Sequence, residues 1–246
     1  MKADPSAQQR LLELQTIDTT LTQLAHRRAN LPELAELERL AEERTGLRQE
    51  LTAAQVDVDA LDRDIARLER DVEQVRARRE RDSARLASGV GPARELTALS
   101  HEIESLDRRQ RELEDSQLEL MERREQAQEV LDGITNRLRE NEQQIADAER
   151  RRDAALAEIS EQEAAHTAAR KPLVNELPAD LVALYERIRQ DTGGIGAALL
   201  RGGRCGGCQL ELAGSDRARI KAAPADEVIR CEECRRILVR TAESGL

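Results

Sequence analysis

The stretch LERLAEERTGLRQELTAAQVDVDAL, residues 37–61, decides the fold of this chain. If Leu37 is taken as position a of a heptad, apolar residues recur at positions a and d, while Glu, Asp, Arg and Gln fill most of the positions between them. The register continues to residue 86, and twelve of its fifteen a and d sites are apolar. A repeat of 3.5 residues sustained over seven heptads is typical of a coiled coil and not of a globular amphipathic helix.

A second seam of the same kind runs over residues 96–162, where fourteen of twenty a and d sites are apolar. Between the two seams lies Ser88-Gly89-Val90-Gly91-Pro92, in which glycine and proline can end one helix and start the next. The sequence therefore predicts a mainly α protein built on a long antiparallel coiled-coil hairpin over residues 1–170, with its tip near residues 87–93.

The lengths of the two limbs agree with such a hairpin. An amphipathic stretch over residues 8–31 precedes Pro32 and extends the first limb to 79 residues, against 73 in the return limb. At 1.5 Å per residue each limb is roughly 110 to 120 Å long. Reflection about the middle of the tip places Gly46 opposite Gly133, which indicates either a close approach or hinge of the helices there, or chance.

Polar residues interrupt both seams. Because such residues weaken a seam while fixing its register, we interpret them as orientation devices and not as sites. They are Arg44, Arg79, Gln110, Gln117, Arg124, Asn141 and Arg152.

The composition argues against an enzyme. The 246 residues include no Phe, no Trp and a single Tyr, Tyr185, while 36% are charged. Aromatic side chains supply much of the buried area of compact cores, and no phosphate-binding loop or catalytic constellation is present. We therefore expect no catalytic residues and no small-molecule substrate. The chain has no apolar run of membrane-spanning length and no signal peptide, so we expect a cytoplasmic protein that binds no membrane.

The cysteines carry the strongest chemical signal. All four occur as two CxxC pairs, Cys205/Cys208 and Cys231/Cys234, with 22 residues between them. Two such turns can form a tetrahedral sulfur cage for one structural Zn²⁺. Short apolar stretches flank both pairs, so we expect a small β zinc ribbon with strands at residues 197–200, 209–212, 228–229 and 237–239, and a loop over residues 216–223.

Three other interpretations of the cysteines compete with a zinc site. Disulfides are disfavoured in a chain without an export signal. A thioredoxin-like redox pair needs a βαβ context that the sequence lacks. An iron–sulfur cluster stays open, although its cysteine spacing is usually closer or less symmetric.

The order of features resembles a known bacterial family, the C4-type zinc ribbon domain proteins, over essentially the whole chain. After the long helical hairpin come its most specific segments, LPADLVALYERIR (177–189), GGRCGGCQLEL (202–212) and CEECRRIL (231–238). The resemblance implies that the four cysteines are the metal ligands. It also implies non-enzymatic proteins that bind nucleic acid or protein in regulation or as scaffolds. Members often have glycine after the last cysteine, where this chain has Arg235.

The segment between the limbs and the ribbon contains Lys171-Pro172, which we expect to end the long helix, and Pro178, which we expect to start a shorter one. Residues 171–246 then form the second predicted domain. We expect Tyr185 to pack between this helix and the ribbon with its hydroxyl at the edge.

Charge is unevenly distributed and suggests two functions. Residues 1–165 carry a net charge of −12, which fits a protein partner better than nucleic acid, and residues 166–246 carry +2. We expect an adaptor or regulatory scaffold that binds a protein through the coiled coil, and protein or nucleic acid through the ribbon. The alternative is a nucleic-acid-binding regulator that contacts phosphates through the basic residues of the ribbon. Those candidate residues are Arg201, Arg204, Arg217, Arg219, Lys221, Arg235 and Arg236.

Overall fold

Five helices account for most of the computed structural model, which describes all 246 residues. They are α1 (Pro5–Ala29), α2 (Pro32–Ala87), α3 (Ala93–Glu176), α4 (Ala179–Asp191) and α5 (Gly214–Ala222). The predicted mainly α class with a long helical hairpin is confirmed. No helix combines the length and apolar character that a membrane span requires.

A small sheet completes the fold near the C-terminus. Its strands are β1 (Ala197–Arg201), β2 (Arg204–Cys205), β3 (Ile229–Arg230) and β4 (Ile237–Val239), in the order β2-β1-β4-β3. The central pair, β1 and β4, is parallel, and each edge strand pairs antiparallel with its neighbour. A short 3₁₀ helix, Ala242–Ser244, follows β4.

The chain forms two compact units. One contains Met1–Leu34 with Arg150–Leu246, and the other is the continuous segment Ala35–Glu149. We refer to them as the ribbon unit and the arm unit. The predicted domain boundary at residue 170 falls inside α3.

Aliphatic seam residues hold the arm unit together. Ala54 and Val58 of α2 pack on Leu131 and Ile134 of α3 in a buried cluster. These four residues occupy predicted a and d positions, so the interface is the expected coiled-coil seam. Cross-helix ion pairs confirm the antiparallel direction: Glu50 with Arg137, Asp62 with Arg124, and Asp107 with Arg79, at 3.0–3.2 Å.

The register of the arm unit contradicts one expectation. Because Ile134 packs in the same cluster as Ala54, the neighbouring Gly133 lies beside this part of α2, about two turns beyond Gly46. A Cβ added to either glycine would meet nothing within 4 Å. Of the two interpretations, the close approach is therefore wrong and chance remains, because interlocking seam residues set the register and the midpoint of the tip does not.

The tip needs glycine for its backbone. Gly89 and Gly91 have positive φ angles of 64° and 143°, which residues with a Cβ rarely adopt. The helices end at Ala87 and begin again at Ala93, as the sequence predicted.

In the ribbon unit, apolar side chains pack on both faces of the sheet. Side chains alternate along β4, so Ile237 and Val239 pack with Leu181 and Tyr185 of α4, while Leu238 faces the cysteines. The first face also contacts α1 through Leu11 and Leu14, which are fully buried. The cluster on the second face includes Leu200, Leu212, Ile220, Ile229, Cys205 and Cys231.

A buried ionic network fixes α1 to α3 and α4 in this unit. Asp18, only 2% exposed, accepts two hydrogen bonds from Arg170 and one of 2.8 Å from the Tyr185 hydroxyl. Arg170 also pairs with Glu186, which in turn accepts from Arg189. Burial, followed by the hydrogen bond to Asp18, raises the pKa of Tyr185 well above its usual value, so the tyrosine stays a neutral donor. The hydroxyl is therefore buried, and the expectation that it lies at the edge is wrong.

The expectation that Lys171-Pro172 ends the long helix is wrong. Helix α3 continues through Pro172 to Glu176. The lost hydrogen bond is tolerated within the last turns because Val174 and the following Leu177 pack in the core.

The strand expected at residues 209–212 does not form, since this segment makes only an isolated bridge between Glu211 and Arg204. The loop expected over residues 216–223 is mostly helix α5.

The first residues of the chain pair with the segment just before β3. The Ala3 N–H donates to the Asp226 carbonyl at 2.8 Å, and the Val228 N–H donates to the Met1 carbonyl at 3.1 Å. The Gln8 side chain, which is buried, donates to the carbonyls of Ala3 and Ala225. No sequence pattern predicted this pairing, because three residues are too few to show strand periodicity.

Candidate metal centre

Each CxxC pair sits on a tight turn with the same backbone hydrogen bonds. In the first knuckle, the Gln209 N–H donates to the Cys205 carbonyl at 2.8 Å, and the Cys205 N–H donates to the Leu210 carbonyl at 3.0 Å. In the second, the Arg235 N–H donates to the Cys231 carbonyl and the Cys231 N–H to the Arg236 carbonyl, both at 2.9 Å. Both thiols of each pair therefore project from a closed loop of defined geometry.

The residue after each second cysteine has a left-handed backbone. Gln209 and Arg235 both have φ of 63°, and they are the two non-glycine residues with positive φ. Residues with a Cβ are strained in this conformation, whereas glycine is not. It accounts physically for the glycine often found there in the resembled family, and it shows that Arg235 adopts the same turn.

The four sulfur atoms converge on one point. All four Sγ atoms lie within 4.8 Å of one another, with Cys205 and Cys234 separated by 3.7 Å and Cys208 and Cys231 by 3.9 Å. A tetrahedral Zn²⁺ site with bonds of about 2.3 Å has sulfur–sulfur edges of about 3.8 Å. All four cysteines are free thiols, and the separations far exceed the disulfide bond length of about 2.05 Å. The residues fit zinc.

Burial makes the site depend on a cation. It raises the pKa of Cys205 to about 12 and raises that of Cys231. Burial also acts on Cys234, but hydrogen bonds from the backbone and side chain of Arg236, and from the other thiols, lower the pKa of Cys234 to about 7. Four thiolates this close would repel one another, and a divalent cation removes that repulsion.

The first knuckle packs closely against β1. The Gly206 N–H donates to the Leu199 carbonyl at 2.9 Å, and a Cβ on Gly206 would lie 2.9 Å from that oxygen. A Cβ on Gly207 would lie 2.5 Å from Cδ of Arg236 and 3.3 Å from the Ala198 side chain. The absence of a side chain at these two positions lets the knuckle approach the strand closely.

Two arginines of the ribbon bind backbone carbonyls. Arg236, a predicted nucleic-acid contact, donates to the carbonyls of Thr192 at 2.8 Å and Ile195 at 3.1 Å. Sequence reasoning missed the structural role of Arg240, since a carbonyl-binding arginine leaves no local pattern. Its guanidinium donates to the carbonyls of Ile220, Ala223, Pro224, Ala225 and Glu227 at 2.7–3.3 Å.

The other predicted nucleic-acid contacts lie on the ribbon surface, mostly beside carboxylates. Arg219 pairs with Glu232 at 2.8 Å, and Lys221 forms no ion pair. The remaining pairs are Arg201 with Glu243, Arg204 and Arg217 with Glu211, and Arg235 with Glu232, at 3.2–3.9 Å. The structure therefore brings the four cysteines together but spreads the basic residues among acidic partners.

A coiled-coil hairpin joined to a four-cysteine ribbon defines a coiled-coil zinc ribbon protein. Residues 14–193 match the family model of the CT398-like coiled coil hairpin domain, and residues 204–238 match that of the C4-type zinc ribbon domain. The chain belongs to the CT398-like coiled-coil hairpin family with a C4-type zinc ribbon. The predicted family is confirmed, and one structural zinc is its metal cofactor.

Similar proteins occur in mycobacteria. A Mycobacterium tuberculosis protein is 40% identical over 240 residues, which cover 98% of each chain. A solved structure from Mycobacterium smegmatis is 38% identical, with a TM-score of 0.84 over 98% of this chain and 100% of that one. CT398 from Chlamydia trachomatis, at 20% identity, shares the fold with a TM-score of 0.65 over 95% of this chain and 97% of its own.

Proposed function

We propose that this protein is a non-enzymatic, zinc-binding adaptor whose arm unit binds a protein partner. One observation carries the proposal: large apolar side chains remain exposed in the middle of the arm unit although its seam is already filled. Val56, Leu118 and Met121 are 49–59% exposed. Leu118 and Met121 lie three residues apart on α3 and line the same groove, and neighbouring exposed apolar side chains of this kind are typical of protein interaction sites.

The zinc site supports a structural role in this proposal. Zn²⁺ ions that catalyse reactions keep a coordination position for water or substrate, whereas four thiolates fill the tetrahedron. The ribbon would then present a folded surface, held by metal, to a second partner. That partner is protein or nucleic acid in the cytoplasm.

The alternative function, nucleic-acid binding through the ribbon, has specific support in its exposed cations. Arg204 and Arg235 have side chains 64% and 65% exposed, and Lys221 is unpaired. Exposed ion pairs contribute little, so such arginines can exchange a carboxylate for a phosphate. The neighbouring carboxylates weaken the local positive potential, which is why we favour the adaptor.

The two functions are separated by capture from cell extract with the full zinc-loaded chain. The arm variant carries Val56→Gln, Leu118→Gln and Met121→Gln. The ribbon variant carries Arg204→Gln, Lys221→Gln and Arg235→Gln. Circular dichroism and zinc content check that both variants fold.

The adaptor proposal expects protein partners that survive nuclease treatment and are lost with the arm variant alone. Partners that disappear with nuclease and with the ribbon variant would favour the alternative. Equal capture by the arm variant and the unmodified chain would overturn the adaptor.

A further inference from the structure

The arm unit contains an open groove between α2 and α3 that is lined by apolar and acidic side chains. Ile65 of α2 and Leu118 and Met121 of α3 line it, and its volume is about 880 Å³. Leu118 and Met121 are 59% and 49% exposed, while Ile65 is half-buried. We call this surface the acidic groove.

The walls of the acidic groove carry a strong excess of negative charge. Arg124 is the one cationic side chain in the lining, and it pairs with Asp62 at 3.0 Å. None of the observed ion pairs involves Glu122, Glu125 or Glu129. The carboxylates of the lining are Asp62, Glu69, Glu122, Glu125, Glu129 and Asp132.

The acidic residues follow one face of α3. Glu122, Glu125 and Glu129 are spaced by three and four residues and continue the row started by Leu118 and Met121. The row from Leu118 to Asp132 is about 21 Å long at 1.5 Å per residue. A helix of about four turns can lie along it, with apolar side chains on Leu118 and Met121 and basic side chains on the carboxylates.

We propose that the acidic groove docks a basic amphipathic helix of a partner protein. Charge complementarity selects this occupant. The same surface of a second copy carries the same negative charge and is repelled, as are nucleic acid and anionic membranes. The inference rests on the proposed adaptor function and adds the chemistry of the partner.

Another exposed apolar surface of the arm unit provides a matched control. Val130 is 58% exposed, like Leu118, but lines a different pocket, where Arg123 accompanies Asp57 and Asp64. This pocket has a net charge of −1, against −5 in the acidic groove, so it attracts a basic partner much less. Val130→Gln therefore removes a similar apolar surface without touching the acidic groove.

The test uses fluorescence anisotropy with the full zinc-loaded chain and a synthetic, labelled helical peptide of about sixteen residues, about 24 Å long. Leucines at i, i+3, i+4 and i+7 form its apolar face, and lysines fill the flanks. One control peptide has serine in place of each leucine, and another has glutamate in place of each lysine.

We expect the Leu118→Gln, Met121→Gln double variant to weaken binding about tenfold or more, and Val130→Gln to leave it unchanged. Glu122→Gln, Glu125→Gln and Glu129→Gln together should weaken it and reduce its salt dependence. Neither control peptide should bind. Equal weakening by Val130→Gln, or equal binding of the serine peptide, would overturn the proposal.

Two further outcomes would also overturn the inference. They are self-association in sedimentation experiments that is lost in the Leu118→Gln, Met121→Gln variant, and binding of anionic phosphatidylserine vesicles that the same variant abolishes. If the peptide does not bind while the arm variant still loses its cellular partners, the proposal that the acidic groove docks a basic helix is wrong and the adaptor function stands. If the arm variant loses no partner, the adaptor function itself fails.

Discussion

The arm unit and the ribbon unit reach stability in different ways. In the arm unit, similar aliphatic contacts repeat along a seam, and the ion pairs between its helices are exposed. The ribbon unit depends on features that occur once: four sulfurs around one point, a buried aspartate, and a glycine under a strand carbonyl. In the arm unit, a substitution removes one of many equivalent contacts. In the ribbon unit, no other contact replaces the one that is lost. The ribbon unit should therefore lose its structure abruptly and the arm unit gradually.

The largest expected effect tests the metal centre. Cys231→Ser removes one thiolate, and structural zinc contributes about 10–16 kcal/mol to small ribbons of this kind. We expect zinc content to fall from one per chain to nearly none and the NMR signals of residues 197–239 to collapse, while the arm helices persist in circular dichroism.

Leu210→Ala is the control for this experiment, because Leu210 lies next to the first knuckle and is exposed. It should keep its zinc. Full zinc content in the Cys231→Ser variant would show that three thiolates suffice and would remove the contrast between the units.

The next largest effect concerns the buried aspartate. Asp18→Ala leaves Arg170 and the Tyr185 hydroxyl without their partner, and breaking a buried pair costs about 3–5 kcal/mol. Urea denaturation measures the change. Glu158→Ala removes an exposed partner of Arg27 and should cost about 1 kcal/mol or less. Similar losses in both variants would contradict the special role of the network.

A third prediction concerns the close packing of the first knuckle. Gly206→Ala places a Cβ 2.9 Å from the Leu199 carbonyl oxygen and should lower the free energy of unfolding by about 1–3 kcal/mol. It should also speed zinc loss to a chelator. Gly214→Ala is the matched control, since a Cβ there meets nothing within 4 Å. Equal stability of the two variants would mean that the knuckle can move away from β1.

In the arm unit, one substitution should increase stability. Asn141 is buried and donates to the Leu40 carbonyl at 3.2 Å, but its Oδ1 has no partner. Asn141→Leu removes that unsatisfied oxygen and should raise the free energy of unfolding by about 1 kcal/mol. Asn136→Leu, at an exposed site, should change little. A clear loss of stability in Asn141→Leu would show that the amide contributes more than register.

The smallest expected effect concerns the second knuckle. Arg235→Gly places glycine at a φ of 63° and should stabilise the ribbon by up to about 1 kcal/mol. Thermal unfolding of the zinc-loaded protein measures it. Glu233→Gly, at a position without positive φ, should be neutral or destabilising. A lower melting temperature for Arg235→Gly would indicate that its side chain contributes more than the backbone strain costs.

The sequence was most informative where a pattern repeats or has fixed spacing. The heptads predicted the seam because each turn repeats the same choice, and the CxxC spacing predicted the sulfur cluster because two tight turns leave few arrangements. The contact of Asp18 with Tyr185 could not be predicted in the same way, since 167 residues separate the two positions. Helix α5 was missed because nine residues show no clear periodicity. The register of Gly133 depends on which seam residues interlock, which chain length alone does not determine.

Because the ribbon unit combines two segments that lie far apart in the chain, the two units should fold in a fixed order during synthesis. Residues 35–149 form a continuous segment and can pair as soon as both helices have left the ribosome. Residues 1–34 must wait for residues 150–246 before they can bury Leu11, Leu14 and Asp18. A nascent chain would therefore keep this apolar face of α1 open to chaperones until residues 150–246 have been synthesised, and the zinc site would form only after Cys234 has emerged.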